Sequence, residues 1–292
     1  MKLDKHLEQV WEYINAPNFA LSFSSMCALL DSNLDFYKYL RRYFYDESDL
    51  VEMEGEYDTD AILIGRAIDE YCFSRCHPLA ESDWGFYIEE QKVKLNTVAG
   101  KNIRKESELY AQGKEILRQE HWQKVQIMYD SIKYHFAANN LIFDAATKVQ
   151  GKIQFNDLGV NVRGIFDVCG NSELLDEYGN EIGNYVCDLK KMPNCDDRYL
   201  QFEVFKRRLH LQAYLYKTGI ENNEWHSINA CFLVIVEPSG HCNVKRFTGK
   251  QLLQGKELYQ QAIDTFLELR LKNKPELLIK SYPPYKTGFS NL

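Results

Sequence analysis

The feature that most constrains the fold is a series of three segments between residues 160 and 217. They are VNVRGIFDV, then YVCDLKK after a polar insert, then the helix-like run FEVFKRRLHLQAYLYK. Side chains alternate between the two faces of a strand, so Asp188 and Lys190 in the second segment project together. The segments therefore predict an α/β core with an acid and a base side by side at the end of an apolar strand.

Asp188 and Lys190 have the composition of a metal site with an electrostatic helper. A carboxylate is a hard ligand for Mg²⁺ or Mn²⁺, and an ammonium group can orient water or offset charge on a phosphate. Asp167, on the preceding segment, can supply a second carboxylate. Alone, Asp-x-Lys is more often a solvated face or a cross-strand ion pair. The helix that follows shifts the balance toward a metal site.

That helix carries Arg208, Gln212 and Tyr216 at positions i, i+4 and i+8, a spacing that predicts one shared stripe. An ordinary half-buried helix with polar edges is the alternative. The stripe gains weight as a functional surface because it directly follows the Asp-x-Lys strand.

An aspartate, a strand with Asp-x-Lys and a helix with Gln-x-x-x-Tyr together resemble the PD-(D/E)XK nuclease superfamily. The resemblance is to its RecB-type branch with the lambda-type exonucleases, and most of all to phage RecE-type exonucleases. Upstream, LSFSSMCALLDSNLDFYKYL resembles their serine-rich helix start, and IGRAIDEYCF resembles their Gly-x-Ala-x-His helix. The matching segments span roughly residues 20 to 220.

The resemblance implies a Mg²⁺- or Mn²⁺-dependent exodeoxyribonuclease. The metal ligands that it implies are Asp167, Asp188 and the main-chain carbonyl of Leu189. Lys190 would orient the attacking water or stabilise charge in the transition state. Gln212 and Tyr216 would shape the site and contact the scissile strand.

The sequence departs from the family pattern at two positions. Asp69 stands where RecE-type relatives usually carry a metal-binding histidine, and aspartate is also a good ligand for Mg²⁺. The alternative is that Asp69 is a surface residue of a packed helix. Gln154 is nearest to the position of an acidic residue in the relatives, and it carries no charge. The carboxylates left for the site are those of Asp69, Asp167 and Asp188.

The net charge of −7 argues mildly against nucleic-acid binding, which needs local positive potential. Basic residues nevertheless cluster near the motifs, whereas acidic residues concentrate at 46–60 and 172–181. The residues predicted to contact DNA are Arg66, Lys191, Lys206, Arg207 and Arg208. Arg208 could grip a phosphate from the Gln212 stripe. Nothing in the motifs reads bases, so we expect no sequence specificity.

Length and composition favour one domain of the α/β (α+β) class. A chain of 292 residues with 45% hydrophobic content can bury a sizeable core. We expect a central mixed β-sheet flanked by helices, with a restriction-endonuclease-like core and an N-terminal helical region. Residues 1–145 would be mainly helical, 146–249 would form the catalytic sheet and the Gln-x-x-x-Tyr helix, and 250–292 a C-terminal helix and tail.

Local patterns predict the individual elements. Serines at 22–25 can cap a helix that breaks near Asn33, and alternation over 147–168 predicts an antiparallel hairpin. Residues 170–184 read as a long polar connection. Further helices are predicted at 1–17, 61–76, 106–119, 120–140 and 250–272, strands at 227–238 and 241–247, and loops at 46–60 and 81–105.

The eight cysteines are scattered through apolar segments, a pattern typical of reduced, buried thiols. Cys72 and Cys76 lack a second pair with zinc-ligand spacing. The late cysteine triplet of cluster-bearing relatives is missing, so we expect no iron–sulfur cluster. No run of about 18 apolar residues occurs, and the prediction is a cytoplasmic protein of a bacterial or phage-infected cell that does not bind membranes.

The resemblance further implies a processive 5′-to-3′ exonuclease on ends of linear double-stranded DNA. Such relatives act in phage recombination with a single-strand annealing protein and form homo-oligomers of three or four subunits. Two alternatives remain at this stage. One is a single-strand-preferring repair or CRISPR-associated nuclease of the same fold, and the other is a catalytically silent DNA-binding protein.

Overall fold

The structure is a computed structural model that describes residues 6–44, 59–76, 85–89, 114–176, 178–224 and 227–279. The strands are β1 (Phe86–Ile88), β2 (Glu115–Leu117), β3 (Ala146–Asp157), β4 (Val160–Leu175), β5 (Glu181–Lys191), β6 (Ala230–Val236) and β7 (Cys242–Arg246). The α-helices are α1 (Leu7–Asn15), α2 (Phe23–Asp31), α3 (Asn33–Arg41), α4 (Thr59–Cys76), α5 (Gln119–Tyr134), α6 (Phe136–Asn139), α7 (Asp197–Lys206), α8 (Leu209–Glu224) and α9 (Gly249–Lys272).

A five-stranded mixed sheet in the order β3-β4-β5-β6-β7 organises the chain. Strands β5 and β6 are parallel, and the other neighbouring pairs are antiparallel. Parallel neighbours need a long crossover connection, which α7 and α8 supply here. Every residue of β6 is buried, as expected for a strand covered on both faces. The predicted mixed sheet flanked by helices is confirmed.

The central strands contribute side chains from their two faces to two separate hydrophobic core clusters. Val186 and Leu233 belong to the cluster that includes residues of α1–α3 and α7–α9. Cys187 and Leu189 belong to the cluster that includes residues of α4–α6. The alternation predicted for YVCDLKK therefore decides which helices each side chain meets.

The serine signals of the N-terminal region mark real helix starts. The Ser22 hydroxyl accepts the main-chain N–H of Ser25, and the Ser25 hydroxyl accepts the N–H of Ser22, so the two form a capping box for α2. Ser32 caps α3 by accepting the N–H of Asp35 at 3.0 Å. The predicted helix start and the break near Asn33 are confirmed, because capping depends on side chains within one turn.

The prediction of a long polar connection over 170–184 is wrong. Strands β4 and β5 continue as an antiparallel ladder to Leu175, which pairs with Glu181. The tip is closed by the Asp176 carboxylate, which accepts the main-chain N–H of Asn180 at 3.0 Å. Polar residues here form an exposed extension of the sheet rather than a loop.

The run 202–217 is not one helix. Helix α7 ends at Lys206, α8 begins at Leu209, and Arg208 between them has a φ of 53°, in the left-handed region. A non-glycine residue adopts this conformation rarely and breaks a helix. The predicted helix over 120–140 is likewise interrupted, because α5 ends at Tyr134 and α6 begins at Phe136.

Other predictions meet the structure only in part. The helix predicted over 106–119 is wrong at its end, where residues 115–117 form β2 and pair with β1. Residues 45–58, 90–113 and 280–292, which include most of the predicted loops and the tail, lie outside the described residues. Within the described ranges, no helix has the length and apolarity needed to cross a bilayer.

Candidate active site

The candidate site begins where the ladder between β4 and β5 ends. The last pair in register is Val168 with Cys187, so Asp167 and Asp188 are the next residues on their strands. Beyond this point β5 continues its pairing with β6. The main-chain N–H of Leu189 donates to Asp167 Oδ2 at 2.8 Å. The Asp167 side chain thus accepts a hydrogen bond from β5 just beyond the last residue pair of β4 and β5. The carboxylates of Asp167 and Asp188 lie close together there.

Lys190 forms a two-pronged ion pair with Asp188. Its Nζ atom lies 2.9 Å from Oδ1 and 2.8 Å from Oδ2. The Lys190 side chain is 30% exposed and that of Asp188 is 10% exposed, so the pair opens toward solvent on the lysine side. Burial alone would lower the pKa of Lys190, but the nearby Asp188 and Asp167 outweigh it and raise this pKa above its usual value. Lys190 is therefore a cation at neutral pH.

The remaining carboxylates are poorly neutralised. Burial raises the pKa of Asp69 to about 7; the positive charge of Lys190 opposes this shift and Asp188 adds to it. Burial and then the charge of Asp188 hold the pKa of Asp167 well above its usual value. The Oδ1 atom of Asp69 is buried without a hydrogen-bond partner. One lysine faces three acids, so this pocket lacks positive charge.

These residues fit a hard divalent cation. Carboxylate and carbonyl oxygens are the ligands that Mg²⁺ takes, and the unsatisfied Asp69 oxygen is a group that a cation would stabilise. In the part of the chain that the structure describes, no three His, Cys, Asp or Glu side chains are close enough to enclose an ion by themselves. Mg²⁺ usually binds one or two carboxylates and keeps several waters, so Asp167, Asp188 and the Leu189 carbonyl offer ligands of the kind that it takes.

Helix α8 adds a polar pair to the same pocket. Gln212 Nε2 donates to the Tyr216 hydroxyl at 2.7 Å, and the Gln212 Oε1 atom is buried without a hydrogen-bond partner. Both side chains line a cavity of about 10 Å³ together with Asp188, a volume that suits one water molecule. Burial, then Asp188 and Asp167, raise the pKa of Tyr216, so its hydroxyl remains protonated at neutral pH.

Arg208 does not share the stripe of Gln212 and Tyr216, and that prediction is wrong. It precedes α8, and its guanidinium donates to the Cys27 carbonyl at 2.9 Å and to Asp31 Oδ1 at 2.7 Å. Arg208 therefore ties α2 to the junction between α7 and α8. This is a structural contact, and the predicted contact of Arg208 with phosphate stays a prediction.

The other predicted DNA contacts are dispersed. Arg66 Nη2 pairs with Glu115 Oε1 at 2.6 Å on the surface. Lys191 donates to the main-chain carbonyl of Ala61 at 2.9 Å, at the start of α4. Gln154 lies exposed on β3, where it pairs with Arg163 of β4, and its side chain carries no charge.

Lys206 and Arg207 share a partner that the sequence analysis missed. Both pair with Glu203, whose side chain is buried on the inner face of α7. Two exposed aromatic residues of the same helix, Phe202 and Phe205, were also missed. The available signal was periodicity, since Leu200 and Val204 mark the buried face and leave these phenylalanines on the opposite one.

Comparison with known proteins gives an informative likeness among solved structures. No protein-family model matches the sequence, and no curated protein matches it significantly. The structure is similar to a crystal structure from Eubacterium rectale that carries the provisional description exonuclease, with a TM-score of 0.52 and 13% sequence identity. The match covers 94% of this chain and 88% of that chain. At this identity the likeness establishes the fold: a mixed α/β architecture over nearly the whole chain.

Proposed function

We propose that this protein is a nuclease that hydrolyses DNA phosphodiester bonds with Mg²⁺ or Mn²⁺. The observation that carries the proposal is the meeting of Asp167 and Asp188 at the end of the β4–β5 ladder, with Lys190 paired to Asp188. The provisional description of the structural neighbour as an exonuclease supports the same reaction class. The motif resemblance to PD-(D/E)XK nucleases adds support that comes from the sequence.

In this proposal Asp167, Asp188 and the Leu189 carbonyl hold the metal, with Asp69 close enough to contribute charge. A bound divalent ion would polarise the phosphate and provide an activated water. The chain itself supplies the other roles. Asp188 holds the Lys190 ammonium in place, and this cation offsets negative charge that develops on the phosphate.

The Gln212–Tyr216 pair forms the wall of the pocket on the α8 side. Because Gln212 donates to the phenolic oxygen of Tyr216, the phenolic hydrogen is directed to other acceptors. We assign it to a phosphate oxygen of the scissile strand. Exposed Arg66, Lys206 and Arg207 would then contact more distant phosphates, which position DNA without reading its sequence.

The finer features of the proposal come from the motif resemblance. They are 5′-to-3′ polarity, action on ends of linear duplex, a role in phage-type recombination beside a single-strand annealing protein, and assembly into trimers or tetramers. They are proposed together because each follows from likeness to RecE-type exonucleases.

An assay with three DNA substrates tests the activity. End-labelled linear duplex, single strand and closed circle are incubated with the protein in Mg²⁺, in Mn²⁺ or in EDTA. We expect metal-dependent loss of linear duplex, an intact closed circle, and no cleavage by Asp188→Asn. Glu221→Gln is the matched control, because Glu221 is a partly buried acid paired to a lysine away from the site. Cleavage in EDTA, or full activity of Asp188→Asn, would overturn the proposal.

A further inference from the structure

Helix α7 presents an exposed stripe of aromatic and cationic side chains. Arg198, Phe202, Phe205 and Lys206 occupy positions i, i+4, i+7 and i+8 and are all exposed, with Phe202 at 63% and Phe205 at 46%. Residues at this spacing lie along one side of a helix. We call these four residues the α7 stripe. The opposite side of the helix packs into the core.

Burial does not explain the two phenylalanines. Core contacts of α7 are made by Leu200 and Val204, and both are almost fully buried. Large exposed apolar groups in one place usually mark an interaction surface. Here they adjoin cations, since Lys206 Nζ lies 5.8 Å from the centre of the Phe202 ring.

The charge of the α7 stripe indicates which type of partner it fits. It contains two cations and no carboxylate, although the whole chain carries a net charge of −7. Glu203, which pairs with Lys206, is buried on the inner side and also binds Arg207, so two cations share one carboxylate at the end of α7. A partner that is negatively charged and also offers flat aromatic groups would match this surface.

The α7 stripe lies beside the candidate site. Helix α7 follows β5, which ends at Lys191, and leads into α8, which carries Gln212. The Phe205 ring lies 5.2 Å from the ring of His210, two residues before Gln212. Leu209, at the start of α8, lines the same small cavity as Asp188. A DNA strand that leaves the site over the start of α8 would meet this stripe.

We propose that the α7 stripe is a stacking platform for unpaired nucleotides of a DNA strand engaged at the site. This inference rests on the proposed nuclease function and specifies the strand state that the enzyme holds. Phe202 and Phe205 would stack on successive bases, while Arg198 and Lys206 contact neighbouring phosphates of the strand. Aromatic residues interleaved with cations bind single strands without sequence preference.

The test measures binding without cleavage. A fluorescein-labelled oligo(dT) and an abasic oligonucleotide of the same length are titrated with full-length protein in EDTA, and anisotropy is recorded. The variants are Phe202→Ala, Phe205→Ala, Phe202→Leu and Phe202→Trp. Phe136→Ala is the matched control, because Phe136 is an exposed phenylalanine outside α7. Thermal unfolding confirms that each variant is folded.

For each alanine variant we expect affinity for oligo(dT) to fall by about 5- to 100-fold, the range typical of one lost base stack. Phe202→Leu should lose as much as Phe202→Ala, and Phe202→Trp should retain binding. Affinity for the abasic strand should not change, and Phe136→Ala should bind like the wild type.

Equal oligo(dT) affinity in the wild type and the alanine variants would overturn the inference and leave the nuclease proposal standing. Retention of binding by Phe202→Leu would overturn it as well, since any apolar group would then suffice, as at a protein-docking surface. Conversely, loss of nuclease activity in every preparation would refute the proposed function while the binding measurement still reported on the stripe.

Discussion

Two lysine side chains of this protein are shielded from solvent to a similar degree, yet the groups around them differ. The Lys217 side chain is 27% exposed and that of Lys190 is 30% exposed. Lys217 pairs with Glu221 and donates to the Ile228 carbonyl at 2.7 Å, and Glu221 also accepts the Ile228 N–H at 2.9 Å. This small network ties the end of α8 to the chain leading into β6. Its charges and hydrogen bonds are balanced.

The surroundings of Lys190 are unbalanced. Asp188 pairs with the lysine, whereas burial keeps the pKa values of Asp69 and Asp167 raised, and one Asp69 oxygen has no hydrogen-bond partner. Buried groups in folded proteins are normally satisfied. A buried excess of one charge costs stability unless a ligand compensates it. The comparison indicates that the Lys217 network supports the fold, whereas the Lys190 pocket fits the cation and the anionic substrate of the proposed function.

Replacing each lysine in turn should give the largest difference between the two regions. We expect Lys190→Ala to lower turnover by about 10²- to 10³-fold, the typical loss on removing one group that stabilises transition-state charge. Lys217→Ala should leave turnover unchanged and lower the free energy of unfolding by about 1 kcal/mol, the usual contribution of a hydrogen bond. Single-turnover cleavage and urea unfolding measure the two effects. Normal turnover in Lys190→Ala would make Lys190 a structural ion-pair partner like Lys217.

Asp69 offers a second test of the Lys190 pocket, because it provides the third carboxylate there. Asp69→Ala should lower turnover by about 10- to 100-fold, the range seen when a supporting group of a metal site is lost. Asp69→His supplies a nitrogen ligand and should restore part of the rate, more in Mn²⁺ than in Mg²⁺. Initial rates in each metal give the measurement. Wild-type rates in Asp69→Ala would remove this residue from the site.

The smallest expected effect concerns stability and pH. A raised pKa means that folded Asp69 and Asp167 hold protons that the unfolded chain has already lost. In EDTA, the contribution of these two carboxylates to stability should therefore be greatest below about pH 4, the pKa of an unfolded aspartate. It should fall as pH rises through the Asp69 pKa of about 7. Mg²⁺ should reduce this slope by compensating the ionised carboxylates. Denaturant midpoints at several pH values, with and without Mg²⁺, check both signs; a slope unaffected by Mg²⁺ would argue against a metal at these residues.

The sequence alone predicted the mixed sheet, and it placed Asp188 beside Lys190. It also predicted the serine-capped starts of α2 and α3. These features depend on strand alternation and on capping within one turn, which are local rules. The proximity of Asp167 and Asp188 followed from the motif resemblance, and the register of β4 and β5 agrees with it.

Only the tertiary structure decided where these elements end. Arg208 breaks the predicted helix while its guanidinium bonds to Cys27 and Asp31, which are 181 and 177 residues away in the chain. The β4–β5 ladder ends in register at Val168 and Cys187, and the two aspartates of the site are the next residues on their strands. Periodicity divides α7 into two apolar sides, and only the packed structure shows that Phe202 and Phe205 lie on the exposed one. Each outcome is set by contacts between distant segments, and local sequence patterns do not encode such contacts.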